Sequence, residues 1–250
     1  MTTALTPAHR TYTTTLATCD AEIEAAQRLR HQVFAVEGGA LLHPPADGTG
    51  RDADEWDARC DHLLVREDTT GDVVGTYRLL PPERAARIGR SYGDTEFDLS
   101  RHAPLRPGLV EAGRSCVHRD HRTGAVITAL WAGVARYVLD RGATHLAGCA
   151  SIPLGDGGAT AAAVWQAVRA RHLAPAGLRV VPHLPYDVDT PAPAERPVLP
   201  PLLRAYLKLG ARVRGRPAYD PAFGTADLYV LLAVDDIPAR VLNRLLGGAR

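Results

Sequence analysis

A chain of 250 residues, 46% of them hydrophobic and 23% charged, can bury an ordinary core and falls within the range of one large domain or two small ones. Its 29 basic and 28 acidic residues leave a formal net charge of +1 and are scattered along the chain, so no global field favours a nucleic acid. Cys19, Cys60, Cys116 and Cys149 are far apart and form no CxxC pair, which fits a reducing cytoplasm, and neither a leader-like N-terminus nor a run of about 18 apolar residues marks a signal peptide or membrane span.

Residues 1–11 read as a flexible N-terminal tail. From Asp20 to Glu37, the residues Ile23, Ala26, Leu29, Val33 and Phe34 fall at helical spacing, with Asp20 as N-cap and Gly38-Gly39 as the stop. Residues 41–61 are rich in Pro, Gly and Asp and contain the acidic run Asp52-Ala-Asp54-Glu55-Trp56-Asp57, a loop that is either solvated or functional. Two strand-like runs, His62 to Glu67 and Val73 to Leu80, flank a turn containing Gly71 and predict a hairpin. Residues 81–108 are irregular. A strand from Leu109 to His118 and a helix from Thr123 to Arg141 follow, then a strand from His145 to Ala150 and a helix from Thr160 to Leu173. The proline-dominated stretch 182–201 is expected to be a surface crossing or flap. Leu202 to Leu209 is helical in pattern, and Ala211 to Val213 with Ala226 to Val234 supply closing strands. This order predicts an α/β chain with a mixed sheet covered by helices, in one domain over residues 1–250.

Between Glu111 and Ile127 a short strand feeds a helix through a charged turn. Such a junction aims backbone N–H groups and the positive end of a helix dipole at one point, which suits a phosphate or a thioester carbonyl. Glu111 brings a carboxylate near that point, and burial in a strand raises its basicity. The competing role for Glu111 is an ion pair with Arg114 or Arg78. Gly113 permits a bulge whose N–H groups polarise a carbonyl. Cys116 and His118, two apart on the strand, raise a thiol-nucleophile alternative. His43, His62, His121 and His145 lack metal-ligand spacing, and no metal is predicted.

Arg122 with Thr123, Gly124 and Ala125 resembles part of the pyrophosphate loop of the GCN5-related (GNAT) N-acetyltransferases. The second small residue of that loop is replaced here by Val126. The replacement is expected to hinder close approach on one side, and so to favour the single phosphodiester of a carrier protein's pantetheine arm over coenzyme A.

Further motifs widen the resemblance: Leu29-Arg30 with Val33-Phe34 and Glu37, Asp54-Glu-Trp-Asp57, Tyr77-Arg78, Phe97-Asp98, Glu111-Ala-Gly-Arg114-Ser115, Tyr206, Asp220 and Phe223 to Asp227. Together, over roughly residues 12 to 235, the chain resembles the acyl-carrier-protein-dependent ornithine N-acyltransferases, a GNAT-like group also called hemolysin-like. Arg30, Phe34, Asp54, Asp57, Arg78, Glu111 and Arg114 are also similar to the signature of the acyl-homoserine lactone synthases. The resemblance implies an α+β sandwich of GNAT type, with a mixed, mostly antiparallel sheet and helices on both faces. It implies transfer of a long, often 3-hydroxylated acyl chain from an acyl carrier protein, or from acyl-CoA, to an amino acid amine, ornithine by default.

On that resemblance Glu111, Gly113, Arg114 and Ser115 form the reaction centre. Cys116, Val117, Arg122, Thr123, Gly124 and Ala125 hold the acyl-phosphopantetheine, and Arg30, Phe34, Asp54, Asp57 and Arg78 bind the acceptor, with Asp61 as a further carboxylate. No tightly bound cofactor is implied. The amphiphilic product implies loose membrane contact of a cytoplasmic protein. Two alternatives stay open: a synthase of lactones or other N-acyl amines, and a non-catalytic carrier- or lipid-binding module on the same fold.

Overall fold

The computed structural model describes residues 10–42, 48–189 and 198–247. Nearly all of the predicted tail lies outside them, as do His43 and the middle of the 182–201 crossing. In chain order the elements are β1 (Tyr12–Leu16), α1 (Asp20–His31), β2 (Asp61–Glu67), β3 (Val73–Leu80), α2 (Pro82–Ile88), β4 (Phe97–Asp98), β5 (Leu109–Val117), α3 (Gly124–Asp140), β6 (His145–Pro153) and α4 (Ala159–Arg171). They continue with β7 (Val181–Pro182), α5 (Pro201–Lys208), β8 (Arg212–Val213), β9 (Ala218–Asp220), β10 (Thr225–Ala233) and α6 (Ala239–Gly247).

An eight-stranded sheet runs in the order β1-β2-β3-β5-β6-β10-β8, with β9 added to β10, and only β5 and β6 pair in parallel. Strand alternation divides the side chains between two faces. One face sets Leu63, Tyr77, Val110 and Leu228 into a core shared with Leu130 of α3, Trp165 of α4 and Leu203 of α5. The other packs Ala147, Tyr229 and Leu231 against Phe97, Leu99 and Val180, and α1 lies over β3 and β5. Helices thus cover both faces of a mixed, mostly antiparallel sheet.

The helix predicted from Asp20 to Glu37 is one continuous run of two kinds. Its N-cap is Cys19 rather than Asp20. Thr18 donates to the Glu22 carboxylate through its N–H (2.7 Å) and its hydroxyl (3.0 Å), which fastens the chain entering the first turn. After His31 the helix widens into a π-type turn over Gln32–Glu37, a local distortion that carries Phe34. β1, β4, β7, β9, α2 and α6 were not expected from the sequence. In α2 the signals were a proline at the first turn and Gly89 at φ 79, but one short helix gives too few apolar repeats to show a period.

Two irregularities prepare the site. β5 and β6 pair only from Leu109–His145 to Glu111–Ala147, although β5 continues to Val117 and β6 to Pro153, so the sheet opens between them. Gly148 lies at the opening, where a Cβ would stand 2.1 Å from the Ala112 carbonyl oxygen. The second is a bulge. The β3–β5 register jumps from Arg78–Gly113 to Thr76–Cys116, so Tyr77 alone faces both Arg114 and Ser115. Arg114 sits at φ 51, the single positive φ outside glycine among the described residues. The bulge falls where Gly113 invited one, but Arg114 carries the left-handed backbone.

Candidate active site

Where β5 and β6 part, a cavity of about 570 Å³ is lined from both faces of the sheet. Arg78, Glu111 and Gly113 come from one face, Tyr77, Ala112 and Ala150 from the other. Ile127, Leu130 and Trp131 of α3 and Leu202, Leu203 and Tyr206 of α5 give one flank an apolar surface. A slot of this kind removes both a reacting carbonyl and an alkyl chain from water.

Glu111 is 6% exposed and stands on the last rung that β5 shares with β6. Its two carboxylate oxygens accept hydrogen bonds from the N–H groups of Tyr92 and Gly93, both at 2.7 Å. Burial pushes its pKa up to about 7, against the lowering pull of those two donors. Among the described residues it forms no ion pair with Arg114 or Arg78, since both arginines are engaged by aspartates. A carboxylate with its proton affinity in the neutral range, facing a cavity, is suited to take a proton from an ammonium.

Those aspartates and arginines form one buried network. Arg30, fully buried, pairs with Asp52 at 3.0 Å and Asp57 at 2.8 Å; Arg78 pairs with Asp54 at 2.6 Å and Asp57 at 3.2 Å; Arg114 reaches Asp52 and Asp54, both at 3.3 Å. Gln27 donates to Asp57 at 3.1 Å, and the Nε2 of His62 lies 3.0 Å from the Asp57 carbonyl oxygen. Burial alone would raise Asp57, but the charges of Arg30 and Arg78 hold it well below the usual carboxylate range. Of the residues expected to bind the acceptor, Arg78 and Phe34 line the cavity, whereas Arg30, Asp54 and Asp57 stand behind its wall and face one another. Asp61 is directed elsewhere, to Tyr137, Arg84 and Arg141.

Arg114 is held between aromatic rings, 4.4 Å from the centre of Phe223 and 5.3 Å from that of Tyr92. Phe34 meets Phe223 edge-on at 5.6 Å. The Tyr77 hydroxyl meets that of Tyr206, so β3 at the residue facing the bulge is tied to α5 across the cavity. Burial pushes the Cys116 thiol up to about 12, which removes the thiolate a nucleophile needs.

Arg122, Thr123, Gly124 and Ala125 are exposed at the start of α3, whose first-turn N–H groups have no partner within the helix. Arg122 donates to the Val117 carbonyl and pairs with Glu37 at 2.6 Å. Thr123 donates its N–H to His121, leaving the groups from Gly124 onward for an anion. Val126 does not obstruct this loop as its sequence position implied. It is fully buried, beneath the sheet at Gly75, because helical geometry turns it away from the anion-facing side.

Three groups with no role assigned from sequence also meet here. A ligand atom from each of Glu96, Cys149 and Asp227 lies within 4.8 Å of the others, and Cys149 and Asp227 line the cavity. They come from three distant segments, so no local pattern announces them. Tyr92 and Gly93 were likewise hidden in the irregular 81–108 stretch. All four cysteines are free.

Residues 29–132 match the acetyltransferase (GNAT) domain. An L-ornithine N(alpha)-acyltransferase of Rhizobium meliloti (strain 1021) is 37% identical, over 92% of this chain and 82% of that protein. One from Rhodobacter capsulatus is 41% identical, over 84% of this chain and 85% of that protein. The chain belongs to the L-ornithine N(alpha)-acyltransferase family. A solved CoA-dependent acyl-homoserine lactone synthase, BjaI with MTA, has the same fold, with a TM-score of 0.59 at 18% identity over 96% of this chain and 90% of that one. Family membership makes the chain an acyltransferase and puts aside the non-catalytic module, and the synthase likeness is one of fold. Among the described residues no helix is long and apolar enough to cross a membrane.

Proposed function

We propose that this enzyme moves a long acyl chain, often 3-hydroxylated, from the phosphopantetheine thioester of an acyl carrier protein to the α-amine of ornithine. The observation that carries this reading is the buried Glu111, with its neutral-range pKa, at the vertex of an apolar cavity that opens between two strands. The names of the relatives supply the acceptor.

In the reaction Glu111, directly or through water, takes a proton from the acceptor's ammonium. The freed amine attacks the thioester carbon, and the bulge at Arg114 and Ser115 presents backbone to the oxyanion that develops. The C–S bond then breaks, the departing sulfur takes the second proton that the nitrogen sheds, and Glu111 gives its own proton back to water. Arg122 and the first N–H groups of α3 hold the donor's phosphate. One arginine and the few N–H groups left after Thr123 is engaged suit one phosphodiester better than a pyrophosphate, which favours the carrier protein over coenzyme A. The Arg30, Arg78, Asp54 and Asp57 network acts mainly by fixing Arg78 and Arg114 in the wall. The amphiphilic product gives the protein a reason to approach a membrane surface transiently.

The test is incubation with a 3-hydroxyacyl carrier protein, or the matching acyl-CoA, and a panel of amines, followed by mass spectrometry. An amide of ornithine formed faster from the carrier protein supports the reading. Equal or faster turnover of acyl-CoA removes the donor assignment, and a lactone product or absence of any amide removes the reaction.

A further inference from the structure

The cavity wall carries two carboxylates, Asp220 and Asp227, and a third, Glu96, stands within reach of Asp227 and Cys149. Asp227 is 4% exposed, and one of its oxygens accepts from the Thr225 hydroxyl at 2.7 Å. The Cys149 thiol donates to one oxygen of Glu96 at 3.5 Å, while the other Glu96 oxygen, Oε1, is buried and accepts no hydrogen bond. Asp220 accepts from the N–H groups of Ala222 and Phe223. Among the described residues none of these three carboxylates has an ion-pair partner, whereas Asp52, Asp54 and Asp57 in the same site each hold arginines. Burying carboxylates together without a cation is unfavourable for folding, and it is tolerated where an incoming cation completes the set.

Position along the sheet indicates which cation. Glu111 and Ala147 share a rung, and Cys149 lies two residues further along the same face of β6, about 7 Å from Ala147 along the strand. With one strand spacing of about 4.8 Å added across, it is about 8 Å from Glu111 between backbones, a span that the inward-reaching side chains shorten. Asp227 sits opposite Ser151 on the next rung of that face. The two nitrogens of an extended 2,5-diamino acid are separated by five bonds of about 1.5 Å each, roughly 6 Å end to end. An acceptor with its α-amine at Glu111 therefore places a side-chain ammonium at the level of Cys149 and Glu96.

Resting on the acyl transfer proposed above, we propose that Glu96 and Asp227, with Asp220 beside them, form the subsite that receives the side-chain ammonium of the acceptor. The site thereby selects a diamino acid over its neutral analogue. The Cys149 thiol orients Glu96 and takes no part in the chemistry; burial holds it protonated.

Calorimetric titration with L-ornithine and with L-2-aminopentanoate, the same chain without the terminal amine, tests this in the wild type, Asp227→Asn and Glu96→Gln. The expected result is a preference for ornithine of about tenfold to a hundredfold in the wild type, the worth of a charged hydrogen bond, falling toward one in each variant. Thermal unfolding identifies a variant that fails to fold, and the other variant then carries the test. A preference unchanged in the folded variants overturns the assignment, as does equal binding of both amino acids by the wild type. Binding of zinc or magnesium alone that depends on Asp227 and blocks ornithine also overturns it in favour of a metal centre. Turnover, measured separately, distinguishes the two proposals. Acylation of both amino acids at equal rates removes the subsite and leaves the transferase reading standing, while ornithine binding without amide formation does the reverse.

Discussion

Glu111 stands opposite Ala147 on the last rung of the parallel pairing, so its carboxylate lies where the sheet begins to open. The backbone on either side is fixed by strand pairing, while the side chain faces the space beyond it. This position suits the role proposed for Glu111, since it combines a rigidly held backbone with a side chain open to the cavity.

Replacing Glu111 by Gln should lower kcat by about 10²- to 10⁴-fold, the usual worth of a positioned general base. Wild-type kcat/KM should rise with pH through about 7, because the deprotonated form is the active one. For stability the sign is opposite. A carboxyl raised from 4.5 to about 7 on folding binds its proton more tightly in the native state, so its contribution is present at low pH and is lost as pH rises across that interval. A pH–rate profile and urea unfolding at pH 5 and pH 8 read the two effects separately. A flat profile would sink the role.

Arg30→Ala should cost about 3–5 kcal/mol, because it leaves Asp52 and Asp57 buried without their main partner. Asp57, depressed in the folded state, adds stability above its ordinary value of 3.8 that fades as pH falls below it. Asp57→Asn should therefore flatten the acid limb of the stability curve, as followed by circular dichroism. If Arg30→Ala instead raised the acceptor KM with stability unchanged, the arginine would be a direct ligand.

At Arg114 two substitutions separate backbone from side chain. Both Ala and Gly delete the ion pairs to Asp52 and Asp54 and the contacts with Tyr92 and Phe223. Glycine occupies φ 51 without the penalty of a Cβ, so Arg114→Gly should be more stable than Arg114→Ala by about 1 kcal/mol in thermal unfolding.

Arg122→Ala should raise the KM for the acyl donor several-fold and leave that for the amino acid unchanged, since its guanidinium lies at the exposed start of α3. Steady-state kinetics with each substrate varied in turn checks this. An effect confined to the amino acid would remove the phosphate assignment.

The strand-turn-helix at Glu111 to Ala125 was legible because it is contiguous: alternation, a charged turn and an amphipathic run follow one another. The neighbouring aspartates and arginines were legible as a set, but their mutual pairing was not. Arg30, Asp57 and Arg78 lie on three elements, and nothing local tells a carboxylate that faces a ligand from one that faces an arginine. Glu96, Cys149 and Asp227 escaped for the same reason. Val126 shows the reverse case, in which a residue judged by its place in a motif is governed by helical periodicity.

The bulge allows a surgical experiment on chain length. Arg114 and Ser115 together occupy the place of one residue opposite Tyr77, so Glu111, Gly113 and Cys116 stay in phase on one face while Ala112 and Val117 keep the other. Deleting either residue would restore plain alternation without inverting a side chain on either side. The product would have 249 residues in place of 250, with its walls and Glu111 in register but without the irregular backbone that the proposed mechanism aims at the carbonyl. Insertion or loss of a residue elsewhere in β5 would exchange the two faces. Position 114–115 is the one point in the strand where the reading frame of the fold tolerates a deletion.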